Sequence, residues 1–205
     1  KWGFDISNSR NSGKSLLTYG YESRKLNDWS LRGRYNITKA ILFDITGKTG
    51  GSELVTSNVK FDNRNYEITQ RSLEPRISLT KGANFRVIFG YKYGEKNNST
   101  GNLEKSLSNA ANTEIKYNIL QNASLLGKFS FNNIKFSSNQ GTTNTNSTAS
   151  YIILDGLLPG KNFLWNLDLS KRLSNNLEMN IQYEGRKPGS ARTVHIGRAS
   201  LRALL

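Results

Sequence analysis

The chain has 205 residues, no cysteine, and 29 lysine and arginine residues against 15 acidic ones, which gives a formal net charge of +14. The lack of cysteine excludes a disulfide framework and a thiolate metal site. No segment approaches the ~18 consecutive apolar residues of a membrane-spanning helix, so a helical membrane protein is excluded too. The length suits one β domain, and nothing in the composition requires a second.

Taken in chain order, the first clear pattern is an alternation with a period of two at residues 28–37. Trp29, Leu31 and Tyr35 fall on one face there, while Arg32 and Arg34 fall on the other. The same division recurs at residues 85–93, 163–169 and 177–183. This period indicates β-strands with one apolar face, and no segment shows a convincing helical pattern. The sequence therefore predicts an all-β, antiparallel fold.

The links between the predicted strands alternate in length. Short links are predicted at residues 35–40, 80–84, 117–122 and 171–176, and longer polar links at 47–57, 94–112, 137–148 and 185–192. Such parity is typical of a transmembrane β-barrel, which has short periplasmic turns and longer outer loops. A soluble β-sandwich gives the same alternation within strands without this parity. A soluble all-β surface adhesin or binding module is the alternative prediction.

The number of strands suggests what the chain belongs to. About eleven strands are predicted. One of them, at residues 59–79, has a bulge or register change near Asn65 and Pro75, and another, at residues 151–169, is interrupted at residues 155–160. By parity, the first strand, at residues 2–6, would then begin at the outer side. A complete bacterial barrel has an even number of strands and both ends in the periplasm. We therefore expect residues 1–205 to form one domain, the C-terminal portion of a larger barrel.

The last predicted strand, at residues 193–205, carries the most specific signal. Its apolar face holds Gly197, Ala199, Leu201, Ala203 and Leu205. A strand of this kind with a hydrophobic terminal residue resembles the C-terminal signal read by the barrel-assembly machinery, with leucine where phenylalanine is usual. Together with residues 183–189, it resembles the C-terminal ends of large outer-membrane proteins of Bacteroidota. The resemblance implies a bacterial outer-membrane location and a role beside secretion or assembly machinery with other protein subunits.

Basic residues fall mostly on the face opposite the aromatic side chains. In a barrel that face lines the lumen, so the predicted lumen-facing basic residues are Arg32, Arg34, Arg86, Lys92, Arg198 and Arg202. Positive charge there would favour anions or hold an acidic plug segment. The alternative is packing against lumen carboxylates such as Asp168 and Glu178. Loop residues such as Lys96 and Lys187 are expected to meet lipopolysaccharide phosphates.

Neither a catalytic residue, a cofactor nor a metal site is predicted. His195 is the only histidine, and a structural position near the membrane boundary is favoured over a role in an outer-membrane hydrolase triad. Glu178 and Glu184 lie ~20 Å apart along a strand, which is too far for a glycosidase pair. Because aromatic and basic residues occupy opposite faces, nucleic acid is not an expected partner. The predicted function is non-enzymatic, in transport, secretion or outer-membrane assembly, with membrane lipid as a partner.

Overall fold

The computed structural model describes residues 1–18, 20–119, 122–139, 141 and 145–203. Over these residues ten strands form one antiparallel sheet, and each strand pairs with the next along the chain. The strands are β1 (Trp2–Leu17), β2 (Gly20–Asn36), β3 (Ile41–Thr56), β4 (Tyr66–Lys81), β5 (Phe85–Asn98), β6 (Lys105–Ile119), β7 (Ala123–Ser137), β8 (Gly160–Ser174), β9 (Leu177–Lys187) and β10 (Val194–Ala203). The edge strands β1 and β10 are not paired with each other, so the sheet is open. The all-β, antiparallel prediction is confirmed, with ten strands in place of about eleven.

The sheet has two chemically different faces. Residues opposite each other in an antiparallel ladder project to the same side, so each face can be followed from strand to strand. The apolar face carries, on four consecutive strands, the paired residues Tyr35, Phe43, Ile77 and Phe89. The polar face carries Asp44, which is opposite both Arg34 and Arg76.

Large side chains on the apolar face are open to solvent. Phe4, Trp29 and Phe89 are 55%, 51% and 51% exposed, whereas Asp44 on the polar face is 2% exposed. None of the residues that the structure describes forms a second layer over the apolar face. This distribution is the reverse of that in a soluble protein, where large apolar side chains are covered and charged ones are exposed.

The hydrophobic core is small and lies on the polar face. Ile68 of β4 and Ile134 and Phe136 of β7 contact Ile153 and Leu154, which follow one another in the link between β7 and β8. That link contains a short helix, α1 (Thr148–Ile153). The core thus joins one folded link to the sheet and leaves most of the sheet without an apolar interior.

The links at the two ends of the strands differ, as predicted. At one end, which we call the short-turn end, β2, β4, β6 and β8 are joined to the next strand over short spans, at residues 37–40, 82–84, 120–122 and 175–176. At the other, the loop end, the links include residues 57–65, 99–104, 138–159 and 188–193. The connection between β1 and β2, at residues 18–19, is the short exception at the loop end.

Two predicted long links are mostly strand. β3 extends to Thr56 through the glycine-rich residues 47–51, and the predicted link at 94–112 shrinks to 99–104. The predicted link at residues 47–57 is mostly strand because of a contact at Gly50, which is opposite both Asp28 and Gln70. Gln70 Nε2 donates to Asp28 Oδ1 at 2.7 Å across this glycine, and a Cβ at position 50 would overlap that oxygen. Glycine therefore permits a side-chain bridge over the middle strand.

The prediction that the chain contains no helix was wrong in two places. α1 begins after Ser147, whose Oγ accepts a hydrogen bond from Ser150 N at 2.9 Å, and a 3₁₀ helix spans Val59–Arg64. Both have six residues, fewer than two turns of an α-helix, so no helical periodicity is visible in the sequence. Among the described residues neither helix is long and apolar enough to cross a membrane.

The expected irregularity at Pro75 and the path of the first strand also differ from the prediction. The β4–β5 ladder omits Glu74 and Pro75 and resumes in the same register, because proline has no N–H to donate.

The first strand is a single run from Trp2 to Leu17, and it begins at the short-turn end, where β10 ends. The odd strand count used to infer a larger barrel is therefore not observed, and that expectation rests on the resemblance of the last strand alone.

Candidate functional site

On the polar face, the buried carboxylate of Asp44 lies between two arginines. Arg76 donates to Asp44 Oδ1 through Nε at 3.0 Å and through Nη2 at 2.8 Å. Arg32 Nε lies 3.5 Å from the same oxygen, while Arg34 Nη2 pairs with Asp5 Oδ2 at 3.0 Å. Two of the predicted lumen-facing basic residues, Arg32 and Arg34, are therefore already paired with carboxylates.

The other four predicted basic residues also lie on the polar face. Arg86 is directly opposite Lys116, and Arg198 and Arg202 are opposite Gln182 and Glu178. Among the described residues, the ion pairs found include none with Arg86, Lys92, Arg198 or Arg202. Like charges opposite each other destabilise a ladder, so the Arg86–Lys116 pair is a place where a bound anion would be stabilised. Whether these side chains line a lumen stays a prediction.

Part of the β7–β8 link folds onto the polar face at the loop end. We call residues 147–159, which include α1, the inner cap. Glu104, 1% exposed, accepts hydrogen bonds from Ser147 Oγ at 2.6 Å and from Asn98 Nδ2 at 2.7 Å. Lys96 donates to Ile152 O at 3.1 Å and pairs with Asp155. The inner cap is thus held by two charged residues beside its small apolar core.

Glu104 is held as a carboxylate despite its burial. Burial raises the pKa of its carboxyl group, but the hydrogen bonds from Ser147 and Asn98 outweigh that effect, and the pKa is lowered overall. Hydrogen bonds to the charged form of a carboxyl group stabilise that form. The charge on Glu104 is therefore part of the contact that holds the inner cap.

The buried side-chain amide of Asn162 holds the end of the inner cap that leads into β8. Asn162, 0% exposed, donates from Nδ2 to Leu158 O at 2.8 Å and accepts from Gly189 N at 3.0 Å. Gly189 has a φ of 53°, and a Cβ there would lie 3.0 Å from Pro159 O. One side chain thus joins the inner cap to the link between β9 and β10.

His195 lies on the apolar face in an aromatic cluster. Its Nδ1 is 2.8 Å from Tyr183 Oη, and its ring centroid is 5.7 Å from that of Trp165. The Trp165 ring lies over Gly185, where a Cβ would overlap it. These contacts are with aromatic rings, in contrast to the serine and carboxylate partners of a hydrolase triad. Over the described part of the chain, no three histidine, aspartate or glutamate side chains converge as metal ligands.

The last strand has the two faces that its alternation predicts. Gly197, Ala199, Leu201 and Ala203 share the apolar face with their partners Tyr183, Ile181, Met179 and Leu177. Leu205, the terminal residue of the predicted assembly signal, lies outside the described residues. The role of this strand as a signal for the assembly machinery stays a prediction.

On the apolar face, the large apolar side chains form a band that crosses the strands obliquely. A ladder row consists of residues that lie directly opposite one another on successive strands. One such row is apolar on β1 and β2, at Ile6 and Leu31, and polar on β7 and β8, at Asn133 and Lys161. A row nearer the short-turn end is apolar at the opposite side of the sheet, where it joins Ala199, Ile181, Leu169, Leu125 and Tyr117. We call the large apolar side chains of this face, taken together, the apolar band. It shifts toward the short-turn end from β1 to β10, so a plane that contains the band is tilted relative to the strands.

Comparison with known proteins adds little to this geometry. No protein-family model and no curated protein match the sequence. The translocator domain of the autotransporter NalP from Neisseria meningitidis aligns with 97% of this chain and 72% of its own length, at 15% identity and a TM-score of 0.42. The KdgM porin in complex with disordered oligogalacturonate aligns with 100% of this chain and 96% of its own length, at 9% identity and a TM-score of 0.32. At TM-scores below 0.5 these similarities carry no functional argument.

Proposed function

We propose that the chain forms the wall of a transmembrane β-barrel in the bacterial outer membrane and serves transport, secretion or assembly without catalysing a reaction. The observation that carries the proposal is the exposed apolar band on a sheet whose polar face holds the buried charges. In a membrane barrel, apolar side chains face lipid and polar side chains face the lumen.

The slope of the apolar band supports a barrel in particular. Strands of membrane barrels are tilted by ~35–45° from the membrane normal, so a horizontal layer of lipid meets successive strands at shifted positions. The row from Ile6 to Lys161 begins inside the apolar band and ends outside it, a shift of the kind that strand tilt produces. A flat face that packed on a second sheet in a soluble module would have no need for such a shift.

The two edge strands are arranged so that the sheet can close. β1 begins at the short-turn end and β10 ends there, so the edges run in opposite directions. Their pairing would continue the antiparallel ladder, and unpaired edges are costly inside a lipid bilayer. Further strands inserted between β1 and β10 would satisfy the same requirement in a larger barrel.

In this barrel the polar face would line a passage and the inner cap would narrow it. The contacts of Glu104 and Lys96 hold the inner cap over the loop end of that face. Arg86 and Lys116, which have no carboxylate partner within the described part of the chain, favour anionic cargo or an acidic segment inside the passage. The outer membrane is favoured by the last strand, whose alternating pattern resembles the signal read by the barrel-assembly machinery.

The alternative, a soluble adhesin or binding module, requires a cover for the apolar face. A second sheet would provide that cover in a sandwich, but the described residues form one sheet. The exposed band therefore favours lipid over solvent as the medium around the sheet.

Two adjacent substitutions on β9 test the proposal. Ile181 is on the apolar face and Asn180 on the polar face, so Ile181→Arg should block insertion, at a cost of ~2–4 kcal/mol near the membrane midplane. Asn180→Arg should insert. The measurement is heat-modifiable migration on a detergent gel after refolding into lipid vesicles. A wild-type chain that folds in buffer without detergent, or equal insertion of the two variants, would overturn the proposal.

A further inference from the structure

Four lysines form a diagonal row on the apolar face, at its loop end. The lysine row consists of Lys105, Lys135, Lys161 and Lys187, one on each of the neighbouring strands β6 to β9. Lys105 is opposite Ser137, Lys161 is opposite Asn133, and Lys187 is opposite Phe163. Each lysine is therefore displaced by two residues from the next one along the row, a diagonal relationship with a spacing of ~7–8 Å. All four residues are exposed.

The lysine row has no carboxylate partner among the described residues. None of its members occurs in an ion pair. The acidic residues of β6 to β9 all lie on the polar face; they are Glu114, Asp168, Glu178 and Glu184. On the adjoining strand, Glu95 accepts a hydrogen bond from Asn97. Four ammonium groups at this spacing repel one another, so a ligand that carries several negative charges would stabilise them.

The opposite side of the same face shows that the absence of partners is local. On β2, Lys25 pairs with Glu53 of β3, with Nζ 3.1 Å from Oε2. Arg71 of β4 lies directly opposite Glu95 of β5. Charges above the apolar band are therefore mixed in sign on β2 to β5 and uniformly positive on β6 to β9.

An apolar surface lies directly beside the lysine row. Phe163 follows Lys161 by two residues on the same face, and its ring centroid is 5.0 Å from that of Phe131. Trp165 comes next toward the short-turn end. A ligand that contacts both surfaces needs an anionic head and an apolar body, which is the chemistry of an acidic lipid.

We propose that the lysine row binds the phosphate groups of a lipid that carries more than one phosphate in its head group, such as a phosphorylated glycolipid of the outer leaflet. The acyl chains of that lipid would lie against Phe131, Phe163 and Trp165. A head group with several phosphates matches four cations spread along a diagonal better than a head group with one. This inference rests on the proposed membrane location, because it places the loop end at the level of the lipid head groups.

The test compares two variants with the same change of charge. The first replaces the lysine row (K105Q/K135Q/K161Q/K187Q), and the control replaces four other lysines of the apolar face (K14Q/K25Q/K81Q/K171Q). Each folded protein, in nanodiscs of zwitterionic lipid, is titrated with fluorescent diphosphorylated lipid A, and then with phosphatidylglycerol and with inorganic phosphate. The row variant should bind lipid A at least ~10-fold more weakly than wild type, since each lysine near anionic lipid contributes measurably to affinity. The control should change less than about twofold.

Other outcomes would overturn the inference. Equal losses in both variants would show that total charge governs binding, and equal affinity for phosphatidylglycerol would remove the requirement for several phosphates. Full competition by inorganic phosphate at the lipid's own concentration would make the site one for free phosphate. If the wild type does not migrate as a heat-modifiable membrane protein, the proposed function fails. If it does and the row variant keeps its affinity, only the lipid site fails.

Discussion

Arg76 lies opposite Asp44 in the β3–β4 ladder and donates two hydrogen bonds, of 3.0 and 2.8 Å, to one oxygen of a carboxylate that is 2% exposed. Because Arg32 approaches the same oxygen from β2, one side chain ties three neighbouring strands together. The three strands are thus joined by buried polar contacts, whereas the face of a soluble sheet that is turned inward is held by apolar side chains.

Removal of this carboxylate should destabilise the fold. In Asp44→Asn the Arg76 guanidinium loses its charged acceptor and Arg32 loses a nearby carboxylate, which should cost ~1–3 kcal/mol, since both arginines remain partly open to water. Asp5→Asn is the matched control, because its pair with Arg34 is about half exposed and should contribute less than ~1 kcal/mol. Urea unfolding of the protein in vesicles measures both. Equal losses would mean that burial of Asp44 does not matter.

Gly50 should tolerate no side chain. A Cβ at this position would overlap both Asp28 Oδ1 and the backbone oxygen of Asn27, so Gly50→Ala should displace the Asp28 side chain, break its hydrogen bond from Gln70 and lower the unfolding free energy by ~1–3 kcal/mol. Gly47→Ala, in the same strand, has no atom within 4 Å of the added Cβ and serves as control. The part of the difference between the two alanine variants that disappears in a Gln70→Ala background is due to the bridge, and a difference that does not change would assign all of it to the overlap with Asn27 O.

Low pH should release the inner cap. Since the folded-state pKa of Glu104 is lowered, its contribution is complete above the ordinary value of about 4.3 and is lost as the pH falls through the lower folded-state pKa. Spin labels on Tyr151→Cys and Lys60→Cys, which lie in two short helices that contact each other, should report a short distance at neutral pH and a longer, broader one once the pH falls below the lowered pKa of Glu104. Glu104→Gln should remove this pH dependence, and a distance that never changes with pH would contradict the assignment.

The edges of the sheet should pair when the chain is in a membrane. Cysteine pairs between residues 3, 5 or 7 of β1 and residues 196, 198 or 200 of β10 share the polar face, and a disulfide requires Cα atoms within ~7 Å. The chain has no cysteine of its own, so the readout on a non-reducing gel is unambiguous. Ser200→Cys with Asn180→Cys, which are already opposite each other, is the positive control. Folded protein that cross-links only in the control would show that the edges do not meet.

Much of the sheet could be predicted because its signal is local. Alternation assigned Trp29, Tyr35 and Phe89 to one face and Arg32 and Arg86 to the other, and the ladder confirms those faces. Short turns were also recognisable, since asparagine, lysine and glycine cluster within a few residues there. These features depend on neighbours along the chain, which a sequence displays directly.

The remaining features depend on partners far apart in the chain. Residues 47–51 look like a loop until Asp28 and Gln70 are seen to meet over Gly50. The inner cap is equally hidden, because Glu104 meets Ser147 more than forty positions later. The lysine row was only partly anticipated: Lys187 was singled out as a loop residue, while its three companions emerge from the register of four strands.

The height of the apolar band defines the thickness of the hydrocarbon layer that would match it. On β5 the band runs from Phe85 to Tyr93, a strand length of ~27 Å, and a tilt of ~35–45° reduces this to ~19–22 Å of membrane. An ordinary bilayer has a hydrocarbon core of ~30 Å, so lipid around the proposed barrel would have to compress or its acyl chains would have to be short. Such mismatch carries a free-energy cost that sorts proteins between membranes. In the proposed barrel, the apolar band would therefore favour a thin bilayer, a property that the bacterial outer membrane has.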